Sequence, residues 1–150
     1  MHISVMTDLR MKLRKVAPAI FEGTPVLCAY LYGSYATGES HRFSDLDVGI
    51  CVEGLDARAC LDLELLLALR IDEKLDHQVQ SEVRVINHLP LAVKGRILTH
   101  GEIIYSRAED KRVEFETKTR MLYFDFLPVM RAHRSAYREN LLSKCWKSRA

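Results

Sequence analysis

The chain has 150 residues, 48% hydrophobic and 28% charged, with a formal net charge of +2. That balance excludes a disordered chain, suits one domain with its own core, and is too weakly basic to call for direct nucleic-acid binding. No stretch approaches the roughly 18 apolar residues of a membrane span. Residues 1–15 lack the apolar core of a signal peptide. Cys28, Cys51, Cys60 and Cys145 form no CxxC pair and no zinc spacing. The expectation is a soluble, cytoplasmic protein with reduced thiols.

Thr7 and Asp8 are good N-caps, and Leu9, Leu13, Val16 and Ile20 follow at helical spacing. Pro18 inside that run predicts a kink or an early end. Val26 to Tyr32 is a continuous apolar run between Pro25 and Gly33, which predicts a strand covered on both faces. Gly33 to Phe43 reads as a turn-rich connection with one short helical turn. Leu46 to Val52 reads as a second strand.

Gly54 and Asp56 open an apolar helix to about Leu75, with Leu61, Leu65 and Leu69 four apart and Leu66 and Leu67 beside them. Val79 to Ile86 alternates and predicts a third strand. Asn87 is placed to cap a helix from about Leu89 to Thr99, which Gly101 stops. Glu102 to Tyr105 predicts a fourth strand. From Glu109 to about Lys147 the pattern is one or two long helices, with Val113, Met121, Phe124 and Leu127 inward and Pro128 bending or splitting them. The fold class is mixed α/β (α+β): a small mixed sheet flanked by helices, with a core over 1–107 and a long C-terminal helical extension over 108–150 in the same domain.

The chemistry concentrates in LYGSYATGESHRFSDLDVGI, residues 31–50. Asp45 and Asp47 are two apart, so on a strand their carboxylates share a face. Such a pair repels itself unless a cation sits between its members or one is protonated. Mg²⁺ suits it, since this ion prefers oxygen ligands and is often shared between carboxylates and substrate phosphates. Gly33 lets backbone approach a phosphate closely, and the Ser34 hydroxyl adds a hydrogen bond. Each signal alone also reads as a plain turn or a capping carboxylate, and Ser44-Asp45 as a local side-chain turn. Both together, at the edges of two strands, point to a nucleotide site.

Gly33-Ser34, ten residues, then Asp45-x-Asp47 resembles the signature of the polymerase-β-like nucleotidyltransferases. Within that superfamily the chain resembles the minimal nucleotidyltransferase (MNT) antitoxins that accompany HEPN-domain toxins. EVRVINHLPLAVKGRILTHGEIIYS and FETKTRMLYFDFLP extend the likeness, which covers roughly residues 8 to 130. The resemblance implies a polymerase-β-like fold, with Gly33 and Ser34 on the nucleotide triphosphate and Asp45 and Asp47 binding two Mg²⁺ ions. It implies a third carboxylate, usually Asp, on the strand before the Asn. Glu82 best matches that position, one methylene longer, or is an outward polar residue of a half-exposed strand. Glu82 or Asp47 would assist removal of the acceptor's proton.

The resemblance further implies ATP as donor and, as acceptor, a tyrosine of a HEPN RNase toxin, in a hetero-oligomer. AMP on that tyrosine would silence the toxin. Two alternatives stand beside this reading: an antitoxin that neutralises by contact alone, and a transferase acting on a small molecule of the aminoglycoside type.

Elsewhere the signals are plainer. Arg42 is a loop charge or a phosphate contact, and Thr37 stands where many relatives carry Arg. His41, His77, His88, His100 and His133 lack paired ligand spacing and read as structural or surface residues. Arg131, Arg134, Arg138, Lys144, Lys147 and Arg149 face one acid, Glu139, and read as a solvated face or a docking surface. Tyr123, Phe124, Phe126 and Trp146 are core residues or interface anchors.

Overall fold

The computed structural model describes residues 2–38 and 45–148, and the side chains of residues 8–38 and 45–145. Its elements are α1 (His2–Phe21), β1 (Val26–Tyr32), α2 (Ser34–Thr37), β2 (Leu46–Val52), α3 (Ala57–Lys74), β3 (Ser81–Val85), a 3₁₀ turn (Ile86–His88), α4 (Leu91–His100), β4 (Glu102–Ser106) and α5 (Glu109–Ser148). The strands form one mixed sheet in the order β3-β2-β1-β4. β1 pairs antiparallel with β2 and β4, and β2 pairs parallel with β3. The expected fold class is the one observed.

Alternation along the strands sorts two apolar layers. Ala29, Leu31, Val48, Ile50, Val83 and Val85 pack with Leu13, Ile20, Leu67 and Ile71 of α1 and α3. Cys28, Tyr30, Cys51 and Ile86 point the other way and pack with Ile97 and Leu98 of α4. Both sheet faces are therefore covered by helices, which is why β1 and β2 read as nearly unbroken apolar runs. Each fully buried Leu or Ile contributes about 1.5–3 kcal/mol of transfer free energy.

Several expectations change in detail. α1 begins at His2, so Thr7 and Asp8 lie inside the helix rather than capping it. It runs through Pro18 to Phe21, so the proline, which cannot donate to the Arg14 carbonyl, does not end the helix. Asp56 does cap α3, accepting from the Ala59 amide at 2.8 Å. Yet Leu61, Leu65, Leu66 and Leu69 are exposed, and the helix turns Cys60, Leu63, Leu67 and Ile71 inward. The leucines outnumber the positions that face the sheet, so periodicity alone picked the wrong stripe. β3 is five residues, shorter than the alternating run.

Asn87 does not cap α4. Its amide accepts from the Val52 N–H at 3.0 Å and donates to the Val52 carbonyl at 2.9 Å, tying the end of β2. The chain leaves α4 at Gly101 in an extended conformation.

α5 is one helix of 40 residues, unsplit at Pro128. Val113, Met121 and Phe124 are exposed, and Glu116, Thr119 and Tyr123 face inward instead. The reason is a polar seam. The Tyr30 hydroxyl donates to Glu116 at 2.7 Å, Arg112 and Arg120 bond the same carboxylate at 2.8 and 3.3 Å, and Arg120 also reaches the Leu98 carbonyl at 3.0 Å. Gly95 lets α4 and α5 close on each other, since a Cβ there would stand 2.1 Å from the Tyr123 ring. From Arg131 to Cys145 every side chain is exposed, including Arg131, Arg134, Arg138 and Lys144. Cys28, Cys51 and Cys60 are buried thiols.

Candidate active site

The site forms where β1 and β2 end side by side. Their antiparallel register sets Tyr32 opposite Asp47. Past Tyr32 the chain turns at Gly33 with φ of 72°, a left-handed conformation that glycine adopts at little cost. Glycine is required there for space as well: a Cβ would lie 2.3 Å from Asp47 Oδ2. Ser34 opens α2, and the Gly33 carbonyl accepts from the Ala36 and Thr37 amides at 3.2 Å. Buried Tyr35 anchors the turn in the core. The structure therefore brings Gly33 against Asp47, with Ser34 next along the chain and Asp45 exposed just before β2.

Glu82 lies opposite Asp47 in the parallel register of β2 and β3. Its carboxylate is held by Arg84, whose Nε donates at 2.8 Å and whose guanidinium forms an ion pair at 2.6 Å. Among the described residues, no three of His, Cys, Asp or Glu gather closely enough to hold a metal ion. From sequence Arg84 is only a polar residue alternating with the valines of β3, yet that i, i+2 alternation places it on the side of Glu82. His41, Arg42, Ser44 and Arg149 lie outside the described residues, as do the side chains of Thr7, Trp146 and Lys147.

The electrostatics reflect crowded acids. Burial holds the Asp47 carboxyl above the ordinary carboxylate range, Glu82 and then Asp45 push it further, and Arg84 opposes them. The Tyr32 hydroxyl is pushed up to about 12, first by burial and then by Asp47. Hard oxygen donors whose mutual repulsion is felt at Asp47 fit a divalent cation such as Mg²⁺, which would relieve that repulsion.

Beside Tyr32 and Gly33 a cleft of ≈ 430 Å³ opens toward α4. Tyr32, Gly33, Ser34 and Thr37 form one wall, and Val93, Arg96, Ile97 and His100 the other. Arg96 was not singled out from sequence, and His100 was read there as a structural or surface residue. Their i, i+4 spacing on α4 was the available signal, visible only once α4 is known to face the Gly-Ser turn.

No curated protein matches the sequence. Solved structures do. One likeness is to a chain of a toxin–antitoxin crystal structure with AMP-PNP, with a TM-score of 0.60 and 18% identity over 87% of this chain and 98% of that one. Another is to a chain of the MntA-HepT toxin–antitoxin structure, with a TM-score of 0.57 and 16% identity over 89% and 98%. A third is to a chain of a tri-AMPylated Shewanella oneidensis HEPN toxin in complex with an MNT antitoxin, with a TM-score of 0.55 and 15% identity over 89% and 98%. At these identities the likeness is one of fold. Among the described residues no helix is long and apolar enough to cross a membrane. Residues 15–110, which contain the Gly-Ser turn and the acid pair, match the family Polymerase beta, Nucleotidyltransferase, and the chain belongs to that family.

Proposed function

We propose that the protein is a Mg²⁺-dependent nucleotidyltransferase antitoxin that transfers AMP from ATP to a tyrosine of a HEPN-domain RNase toxin and so neutralises it. Family membership supports the reaction class. The likeness to chains of toxin–antitoxin structures, one with AMP-PNP and one with a tri-AMPylated toxin, supports the substrate and the partner. The observation that carries the reading is the close approach of Gly33 and Asp47, which sets the Gly-Ser turn against one member of the acid pair.

Asp45 and Asp47 would hold Mg²⁺, two ions in the full reading, and Glu82 would join them once released from Arg84. Bound there, the metal would offset negative charge on the triphosphate and on the attacking and leaving oxygens. Gly33 leaves room for the nucleotide chain, and the Ser34 hydroxyl donates to a phosphate oxygen. The acceptor's tyrosine oxygen bonds to the α-phosphorus, the bond from that phosphorus to the bridging oxygen breaks, and pyrophosphate leaves. Glu82 or Asp47 would take the tyrosine proton. The chain's contribution is positioning and charge, as for phosphoryl transfer generally.

The test incubates the purified chain with labelled ATP, Mg²⁺ and the HEPN protein encoded beside it. Label on a tyrosine of the partner, lost in the Asp45→Asn/Asp47→Asn variant, is expected. An unlabelled partner with both proteins folded would overturn the reading. A second reading, neutralisation by contact alone, draws on one observation: Glu82 is engaged by Arg84. Protection from the toxin that survives the double Asn change would establish it.

A further inference from the structure

We propose that Arg96 and His100 of α4 grip the β- and γ-phosphates of the bound nucleotide, the part that leaves as pyrophosphate. The inference rests on the nucleotidyl-transfer reading and adds two residues to it. Gly33 and Tyr32 join the acids to the cleft: Asp47 abuts Gly33 and stands opposite Tyr32, and both Glu82 and Asp45 act on Asp47. The lining of the cleft includes none of the three acids and carries Arg96 and His100. A triphosphate with its α-phosphorus at the acids would extend its terminal phosphates past Ser34 into this cleft. Two cationic or hydrogen-donating side chains one helical turn apart match that end of the molecule.

α4 can serve as a rigid arm for them. Gly95 is closed against Tyr123, the Leu98 carbonyl is held by Arg120 at 3.0 Å, and Ile97 is buried in the apolar layer with Tyr30 and Ile86. Arg96 and His100 are themselves exposed. Among the described residues Arg96 makes a long bond to the Ala92 carbonyl at 3.4 Å and no ion pair, so its guanidinium can turn to a ligand. The competing use of the cleft is as a seat for the base, on Tyr32, Val93 and Ile97. A base seated there would make ATP and AMP equally dependent on the two side chains, whereas a grip on the terminal phosphates would spare AMP, and this difference makes the assignment testable.

Calorimetric binding of ATP, AMP and inorganic pyrophosphate to the full chain in Mg²⁺ separates the two. Arg96→Ala and His100→Gln should each weaken ATP and pyrophosphate about tenfold, the scale of one charge-assisted hydrogen bond. AMP should change less than about twofold, and Arg96→Lys should recover part of the loss. Thermal melting should be unaltered, since both side chains are exposed. Equal weakening of ATP and AMP, or unchanged binding of all three, would overturn the assignment while leaving nucleotidyl transfer intact. Failure of the wild-type chain to bind either ATP or pyrophosphate would remove the parent reading along with it.

Discussion

Gly33 and Asp47 occupy each other's only space: a methyl group on Gly33 would stand 2.3 Å from the Asp47 carboxylate. Gly33→Ala must move that carboxylate and also strain a backbone at φ of 72°. Transfer activity should fall at least about 100-fold, because displacement of a reacting group by about 1 Å costs that much. The melting temperature should fall only modestly. Near-normal turnover in this variant would show that Asp47 does not act from the position seen here.

Asp47 also links stability to pH. Its carboxyl is raised from 3.8, so the folded chain holds the proton more tightly than the unfolded chain. The associated stability is complete below about pH 3.8 and declines as pH rises through the folded value. Asp47→Asn should therefore be more stable than wild type at pH 7, by at most about 1 kcal/mol because water screens this half-exposed group. The gap should close toward pH 4. Mg²⁺ at 100 times its Kd should restore about 2.7 kcal/mol to wild type and little to the variant. Melting curves across pH, with Mg²⁺ and with chelator, decide both points.

Arg84 holds Glu82 and partly neutralises Asp47. Arg84→Ala should free Glu82 and make the acidic side more negative. The Mg²⁺ concentration for half-maximal activity should then drop about two- to tenfold. A Mg²⁺ requirement that is unchanged or increased would mean that Glu82 plays no part in binding the ion.

Glu116 is the buried hub of Tyr30, Arg112 and Arg120. Glu116→Ala strands a buried hydroxyl and a largely buried guanidinium, at a cost of about 3–5 kcal/mol. For a domain of this size that is a loss of about 6 °C or more in melting temperature. Glu116→Gln, which can still accept from Tyr30, should lose less than half as much. Equal melting of the two variants would locate the importance in the charge rather than in the hydrogen bonds.

Much of the fold was legible because its strands are covered on both faces and its turns carry their own chemistry. Val26 to Tyr32, Leu46 to Val52 and the Asp56 cap stand where the pattern puts them. The helices were harder. Leu61, Leu65 and Leu69 recur as regularly as core residues yet face outward, while Glu116, polar by any scale, is buried. Hydropathy reports what a side chain would do in isolation. It does not say which face another element will cover, or which polar group will find three partners there.

The amino-acid order alone determined the Gly-Ser turn, the i, i+2 pairing of Asp45 with Asp47, and hence the family-like signature, because each depends on neighbours along the chain. Only the tertiary structure decided that Asp47 presses on Gly33, that Arg84 takes hold of Glu82, and that Arg96 and His100 stand across a cleft from Ser34. Those relationships depend on strand register and on the docking of α4. Both are set by long-range packing, which no local run of residues encodes.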